Sequence, residues 1–142
     1  MEQIIYSKLT ELNKVAEAII KHSDSNLICL EGEMGVGKTT LVKQILKILK
    51  AKDVGSSPTF SLIHIYYNQA DELLAFHIDC YRIQSEEEAL DIGIEEYLDT
   101  DKWVFVEWSE RIKNLLPTNR TQVSIDIAES GDRIVKICNI CE

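Results

Sequence analysis

The sequence predicts an α/β domain with a mixed β-sheet. The apolar residues 27–30 lead into a glycine-rich loop, and an apolar stripe at helical spacing follows at residues 41–49. This order of strand, loop and helix is typical of a parallel α/β unit. Two apolar and aromatic segments, residues 62–67 and 73–78, are separated by the turn-forming residues 68–71 and predict an antiparallel hairpin. Parallel and antiparallel strands are therefore expected in one sheet.

Length and composition predict the broad class of the protein. A chain of 142 residues is expected to form one domain that buries a core without metal or disulfide support. It contains no run near the roughly 20 apolar residues of a membrane span and begins without a secretion signal, so we expect a soluble, cytosolic protein with reduced cysteines. The C-x-x-C at Cys138 and Cys141 lacks the second ligand pair that a zinc site needs. The net charge of −9 argues against direct binding of RNA or DNA.

The glycine-rich loop has the spacing of a phosphate-binding P-loop. Residues 32–39 read GEMGVGKT. Its glycines allow successive backbone N–H groups to point at a phosphate, which also meets the positive end of the following helix. Lys38 is expected to reach the β- and γ-phosphates, and the Thr39 hydroxyl is expected to bind Mg²⁺.

Elements on either side of this unit follow from simple patterns. A helix is predicted over about residues 7–21, with one apolar stripe and Ser7 as its N-cap. The small and polar residues 53–60 form a loop with a proline, which excludes helix. In a P-loop protein such a loop can reach back over the γ-phosphate, so Thr59 could contact Mg²⁺ or its water shell. An ordinary connection is the alternative interpretation.

Carboxylates follow two of the predicted strands. The second hairpin strand runs into His77 and Asp79, which alternation places on one face. Asp79 could orient an attacking water or hold a magnesium-bound water, and a structural hydrogen-bonded pair with His77 is the alternative. The apolar residues 103–106 are followed by Glu107, as in a Walker B position at the ligand-binding edge of an open α/β sheet. Glu107 could complete a magnesium site with Thr39.

The remaining segments predict two short helices and a second hairpin. Residues 85–101 are rich in carboxylates and predict two short helices broken at Gly93, with a solvated acidic face or a surface for a basic partner. Alternation at residues 123–127 and a return at residues 134–138 predict a C-terminal hairpin. Arg133 in it is interpreted as a solvated turn residue in preference to a nucleotide contact.

Four motifs occur in one order along the chain. They are GEMGVGKTT at residues 32–40, SPTF at 57–60, HIDCYR at 77–82 and VEWSER at 106–111. This combination, which spans about residues 25–117, resembles the TsaE (YjeE) family of small bacterial ATPases in the tRNA threonylcarbamoyladenosine pathway. Met34, Val36 and Ser109 depart from the Leu, Ala and Pro that the family often has there. Val36 is bulkier inside the loop, which bears on nucleotide affinity.

The resemblance implies a P-loop NTPase-like fold with three layers, α/β/α, and a mixed β-sheet, forming a single ATPase domain over residues 1–142. It implies binding of ATP with Mg²⁺, slow hydrolysis alone, and partnership with TsaB and TsaD. The complex forms threonylcarbamoyladenosine (t6A) in tRNAs that read codons beginning with A, and tRNA is contacted only through the partners. TsaD performs the transfer.

The motifs also imply roles for individual residues. Thr39 and Glu107 hold Mg²⁺, and Thr59 belongs to a switch. Asp79 and Glu107 are the catalytic candidates; Asp79 is favoured for positioning water, and the sequence does not rank the two as the group that activates it. The nucleotide-binding residues are Glu33, Met34, Gly35, Val36, Gly37, Lys38, Thr39, Thr40 and Thr59.

Three other functions stay open. A small-molecule kinase also uses a P-loop, but the arginines are scattered and form no basic lid. A regulatory GTPase needs an N-K-x-D motif after a strand, whereas the only Asn-Lys pair, Asn13 and Lys14, lies in the first predicted helix. The third alternative is a protein that senses nucleotide without hydrolysing it. Glu107→Ala should abolish Mg²⁺-dependent turnover in an ATPase, and no change in turnover would favour the sensor.

Overall fold

One seven-stranded sheet organises the described part of the chain, residues 2–6, 9–55 and 62–140 of this computed structural model. The strands are β1 (Glu2–Tyr6), β2 (Leu27–Glu31), β3 (Ile63–Tyr67), β4 (Leu73–Asp79), β5 (Trp103–Glu107), β6 (Arg120–Ile127) and β7 (Arg133–Ile140). The α-helices are α1 (Leu12–His22), α2 (Lys38–Ile48), α3 (Glu86–Asp91) and α4 (Ile94–Leu98). Two 3₁₀ segments, Leu9–Glu11 and Ser109–Leu115, complete the elements.

The strand order is β1-β7-β6-β2-β5-β4-β3. At its centre β2 runs parallel to both β5 and β6, and β4 runs parallel to β5. The flanks are antiparallel, with β3 on β4, β7 on β6 and β1 on β7. The sheet is mixed, as predicted, and both predicted hairpins form.

Helices cover both faces of the sheet, which confirms the three-layer α/β/α fold. On one face α1 and α2 pack over a core that includes Leu30, Phe105 and Ile125. On the other face α3, α4 and the 3₁₀ segment Ser109–Leu115 pack over a core that includes Ile78. No helix in the described ranges combines the length and apolar character needed to cross a bilayer.

The N-terminal part differs from the expectation. Residues 2–6, for which the sequence analysis predicts no structure, form an edge strand that pairs with β7. The first α-helix begins at Leu12, after the 3₁₀ segment Leu9–Glu11, so it is shorter than predicted. The predicted N-cap, Ser7, lies outside the described residues. A five-residue terminal strand is recognised only through its partner, which lies at the opposite end of the chain.

The P-loop connects β2 to α2 and is backed by β6. Gly37 has the left-handed backbone conformation, with φ of 107°, immediately before α2 begins, which favours glycine there. Gly32 has no room for a side chain, because a Cβ atom would lie 2.7 Å from the carbonyl oxygen of Ile125 and 2.8 Å from a methyl group of Val36. The start of the P-loop therefore lies directly against the backbone of β6.

Gly32→Ala is expected to lower the free energy of unfolding by about 1–3 kcal/mol, because the added methyl group forces backbone apart in a packed region. Gly55→Ala is the control, since a Cβ atom there meets no heavy atom of the described residues within 4 Å and Gly55 needs no left-handed conformation. Urea unfolding of both variants measures the difference. Equal midpoints for the two variants would contradict the close approach of the P-loop to β6.

Two of the four cysteines are chemically shielded by the fold. Cys29 on β2 and Cys80 after β4 are both buried free thiols, and Cys138 on β7 is a half-buried free thiol. Burial raises the pKa of Cys29 and of Cys80 from 9.0 to about 12. Cys141 lies outside the described residues.

Cys29 and Cys80 are expected to react with iodoacetamide at pH 8 far more slowly than Cys138. Thiolate is the reactive form, and with a pKa of about 12 only about one such thiol in 10,000 is ionised at that pH. Peptide mass spectrometry of the native protein measures each rate, and unfolded protein is the control in which the rates should converge. Rates similar to that of Cys138 in the native protein would refute the shielding.

Candidate functional site

The predicted site residues come from strands that end at one edge of the sheet. The P-loop follows β2, Asp79 ends β4 and Glu107 ends β5. Asp79 and Glu107 are partners in the parallel register, so their backbones lie side by side. Carboxyl ends of parallel strands at a change of strand order are the usual ligand-binding position in open α/β sheets.

A hydrogen-bonded cluster around the buried Glu107 joins α2, β4 and β5. The Thr39 hydroxyl, in the first turn of α2, donates to the carboxylate of Glu107 at 2.9 Å from each oxygen. On the other side, His77 Nε2 lies 2.5 Å from Glu107 Oε2. His77 is 4% exposed and Glu107 is 3% exposed. The pairing of Thr39 with Glu107, expected of a magnesium site, is therefore present as a direct hydrogen bond.

The environment of Glu107 favours its charged form. Burial raises the pKa of the carboxyl group, but the hydrogen bond and charge of His77, the Thr39 hydroxyl and the charge of Lys38 together outweigh burial. The pKa of Glu107 is held below its ordinary value of 4.5. An ionised carboxylate beside a threonine hydroxyl is a donor set of hard oxygen atoms, which suits Mg²⁺.

Lys38 makes one contact within the P-loop and one with Trp108, the residue that follows β5. Its ammonium donates to the carbonyl oxygen of Gly32 at 2.5 Å and lies 3.6 Å from the ring centroid of Trp108. Trp108 has a left-handed backbone conformation, with φ of 58°, which is rare for a bulky residue and is found mainly at functional sites. Tyr81 packs beside it, with ring centroids 5.1 Å apart. The sequence indicates no role for Trp108, because its contact with Lys38 depends on the fold.

The P-loop residues divide by exposure. Val36 is 4% exposed and packs in the core beneath α1 and α2, so its extra bulk compared with alanine lies in the core and not inside the loop. Lys38 is also buried, and Gly37 is half-buried. The exposed P-loop residues are Glu33, Met34, Gly35, Thr39 and Thr40. Thr59, predicted to belong to a switch, lies outside the described residues.

Asp79 and His77 do not form the pair considered from the sequence. His77 bonds across to Glu107, and Asp79 Oδ1 accepts a hydrogen bond from the backbone N–H of Tyr81 at 3.0 Å. Asp79 is half-buried at the edge beside Glu107.

Arg133 lies against the P-loop. Its Nε donates to the carbonyl oxygen of Val36 at 3.5 Å, and its Nη1 donates to the carbonyl oxygen of Gly131 at 3.3 Å. The side chain is half-buried. Arg133 is the first residue of β7 and is only half-buried, so it is less solvated than the sequence suggests. Its contact with Val36 depends on the β6–β7 hairpin, which sequence spacing does not reveal.

Comparison with known proteins gives a consistent result. A family model described as threonylcarbamoyl adenosine biosynthesis protein TsaE matches residues 6–135. The chain is 35% identical to the tRNA threonylcarbamoyladenosine biosynthesis protein TsaE of Rickettsia bellii, over 81% of this chain and 78% of that protein. It is 35% identical to the protein of that name from Bacillus subtilis, over 84% and 72% of the two chains.

A solved structure has the same architecture. The crystal structure of YdiB from Bacillus subtilis superposes with a TM-score of 0.72 and 26% sequence identity. The match covers 99% of this chain and 87% of that chain. The protein named TsaE in Haemophilus influenzae is 34% identical over 91% of this chain and 82% of its own length.

If a nucleotide binds at the P-loop, the fluorescence of Trp108 is expected to change, because a phosphate at Lys38 would compete with the contact between the ammonium and the indole ring. The chain has two tryptophans, and Trp103 lies at the opposite end of β5. Trp103→Phe should retain the response to added ADP in a fluorescence titration, and Trp108→Phe should lose it. A response carried equally by both tryptophans would contradict this assignment.

Proposed function

The chain belongs to the TsaE family, and we propose that it is a cytoplasmic, Mg²⁺-dependent ATPase that supports formation of threonylcarbamoyladenosine in tRNA. The observation that carries the proposal is the hydrogen bond of Thr39 to the buried carboxylate of Glu107, beside the P-loop lysine. A hydroxyl and an ionised carboxylate next to a phosphate-binding loop have the chemistry of a magnesium–nucleotide site.

The residues present fit Mg²⁺ and ATP. The oxygen atoms of Thr39 and Glu107 would hold the metal, and the pKa of Glu107 is already below its ordinary value. Bound Mg²⁺ supplies charge neutralisation on the phosphate oxygens. The backbone N–H groups of residues 33–40 would cradle the phosphates at the start of α2. Lys38 would exchange the carbonyl oxygen of Gly32 and the ring of Trp108 for phosphate oxygens.

The hydrolysis step needs a positioned water molecule. Asp79 and Glu107 are neighbours in the sheet register and are the candidates for this role. Glu107 is already engaged by Thr39 and His77, whereas one oxygen of Asp79 bonds a backbone N–H. This difference supports Asp79 as the residue that orients water and Glu107 as the residue that holds the metal.

The proposed partners are TsaB and TsaD, with TsaD performing the transfer of the threonylcarbamoyl group to adenosine in tRNAs that read codons beginning with A. Contact with tRNA would be made through these partners. The net charge of −9 supports this, because a phosphate backbone is bound by basic surfaces. The exposed carboxylates of α3 and α4 make direct binding still less favourable.

Lys38→Ala is expected to reduce ATP turnover at least about 100-fold, which is the usual cost of removing one preorganised electrostatic contact to the reacting group. Lys47→Ala is the matched control, because Lys47 is an exposed lysine on the same helix. The assay measures phosphate release with Mg²⁺ alone and with TsaB and TsaD added. Turnover should be low alone, rise with both partners and depend on Lys38 but not on Lys47.

Two outcomes would contradict the proposal. Turnover at the parental rate in Lys38→Ala would show that the reaction does not depend on the P-loop lysine. Turnover that is unchanged by TsaB and TsaD, together with stoichiometric transfer of phosphate to a metabolite, would favour a kinase.

A further inference from the structure

His77 is a buried polar side chain that the proposed mechanism leaves without a task. It lies on β4, 4% exposed, and its Nε2 is 2.5 Å from Glu107 Oε2. A carboxylate only accepts hydrogen bonds when ionised, so Nε2 is the donor. The contact is thus a hydrogen bond from an imidazole to the carboxylate that faces the P-loop.

The register of the sheet brings the two side chains together. His77 on β4 is the partner of Phe105 on β5, two residues before Glu107. Residues two apart on a strand share a face, so His77 and Glu107 both project toward α2. The imidazole reaches along this face to Oε2, while the Thr39 hydroxyl approaches both carboxylate oxygens from α2.

Neighbouring strands also restrain the imidazole. His64 on β3 is the register partner of His77, and the two rings meet edge to face with centroids 5.7 Å apart. Packing on one side and Glu107 on the other restrict the rotation of the His77 ring. A restrained donor holds its acceptor in one orientation, which is the arrangement that commonly supports metal-binding carboxylates from behind.

We propose that His77 is a positioning residue for the magnesium site, and that its Nε2–H group holds Glu107 Oε2 so that the carboxylate presents one fixed orientation to the metal. This inference rests on the proposed Mg²⁺–ATP function. It assigns His77 no contact with nucleotide and no transfer of a proton. Its effect is therefore on the Mg²⁺-dependent part of nucleotide binding.

The test compares His77→Gln with His77→Asn. The side-chain nitrogen of glutamine can occupy the position of Nε2 and keep the hydrogen bond, whereas that of asparagine corresponds to Nδ1 and falls short. Calorimetry measures the affinity for a non-hydrolysable ATP analogue over a range of Mg²⁺ concentrations, and for ADP without Mg²⁺. Thermal unfolding of each variant checks that it is folded.

In His77→Asn the half-saturating Mg²⁺ concentration is expected to rise about 10- to 100-fold, the usual effect of losing such a supporting contact. Binding of ADP without Mg²⁺ should stay parental, because it depends on the P-loop and Lys38. His77→Gln should stay near the parent in both measurements. His22→Asn, the same change in a half-buried histidine at the end of α1, is the control.

Two results would overturn the inference in distinguishable ways. The positioning role is wrong, and the proposed function stands, if the parent binds the analogue with Mg²⁺ and His77→Asn has the same half-saturating Mg²⁺ concentration. The same conclusion follows if this concentration rises equally in His77→Gln and His77→Asn. If the parent itself shows no Mg²⁺-dependent binding of nucleotide, the proposed function fails and the inference fails with it.

Discussion

The buried carboxylate of Glu107 is the constraint on which the described site depends. A charge at 3% exposure is costly to bury unless it is paired and hydrogen-bonded. Its partners come from α2 and β4, so the carboxylate is satisfied only when the parallel register of β4 and β5 is correct and α2 begins at the right height above the sheet. Thr39 and His77 thus connect the order of the strands to the chemistry of the loop.

The P-loop depends equally on elements outside its own motif. Gly32 lies so close to the carbonyl group of Ile125 that no side chain fits, and Arg133 reaches from β7 to the carbonyl group of Val36. Both contacts come from the C-terminal hairpin. Val36 contributes from within, because its side chain packs into the core under α1 and α2. The loop therefore packs against β6 and the core, while its exposed residues face solvent.

Local patterns were sufficient to predict strands β2 to β7, the helices of the central unit and the positions at which Asp79 and Glu107 end their strands, since these follow from periodicity and turn chemistry. They were not sufficient for contacts between distant residues. The hydrogen bond of His77 to Glu107 and the position of Arg133 depend on register and on hairpin geometry, and neither leaves a local signal. For the same reason the edge strand β1 was missed. Trp108 and Lys38 each lie in a motif that the sequence shows, but the contact between them does not follow from either motif.

Lys38 shows how the fold prepares a binding group before a ligand arrives. The residue is 5% exposed, so its ammonium needs partners inside the protein, and these are the carbonyl oxygen of Gly32 and the face of Trp108. A cation over an aromatic ring gains about 0.5–2 kcal/mol, and a hydrogen bond to a charged group contributes about 1.5–3 kcal/mol. An anion at the start of α2 offers a full opposite charge together with several backbone N–H groups. Under the proposed function, phosphate would therefore replace these two partners of Lys38, and because Trp108 packs on the exposed ring of Tyr81, the replacement would alter a contact that extends to the surface.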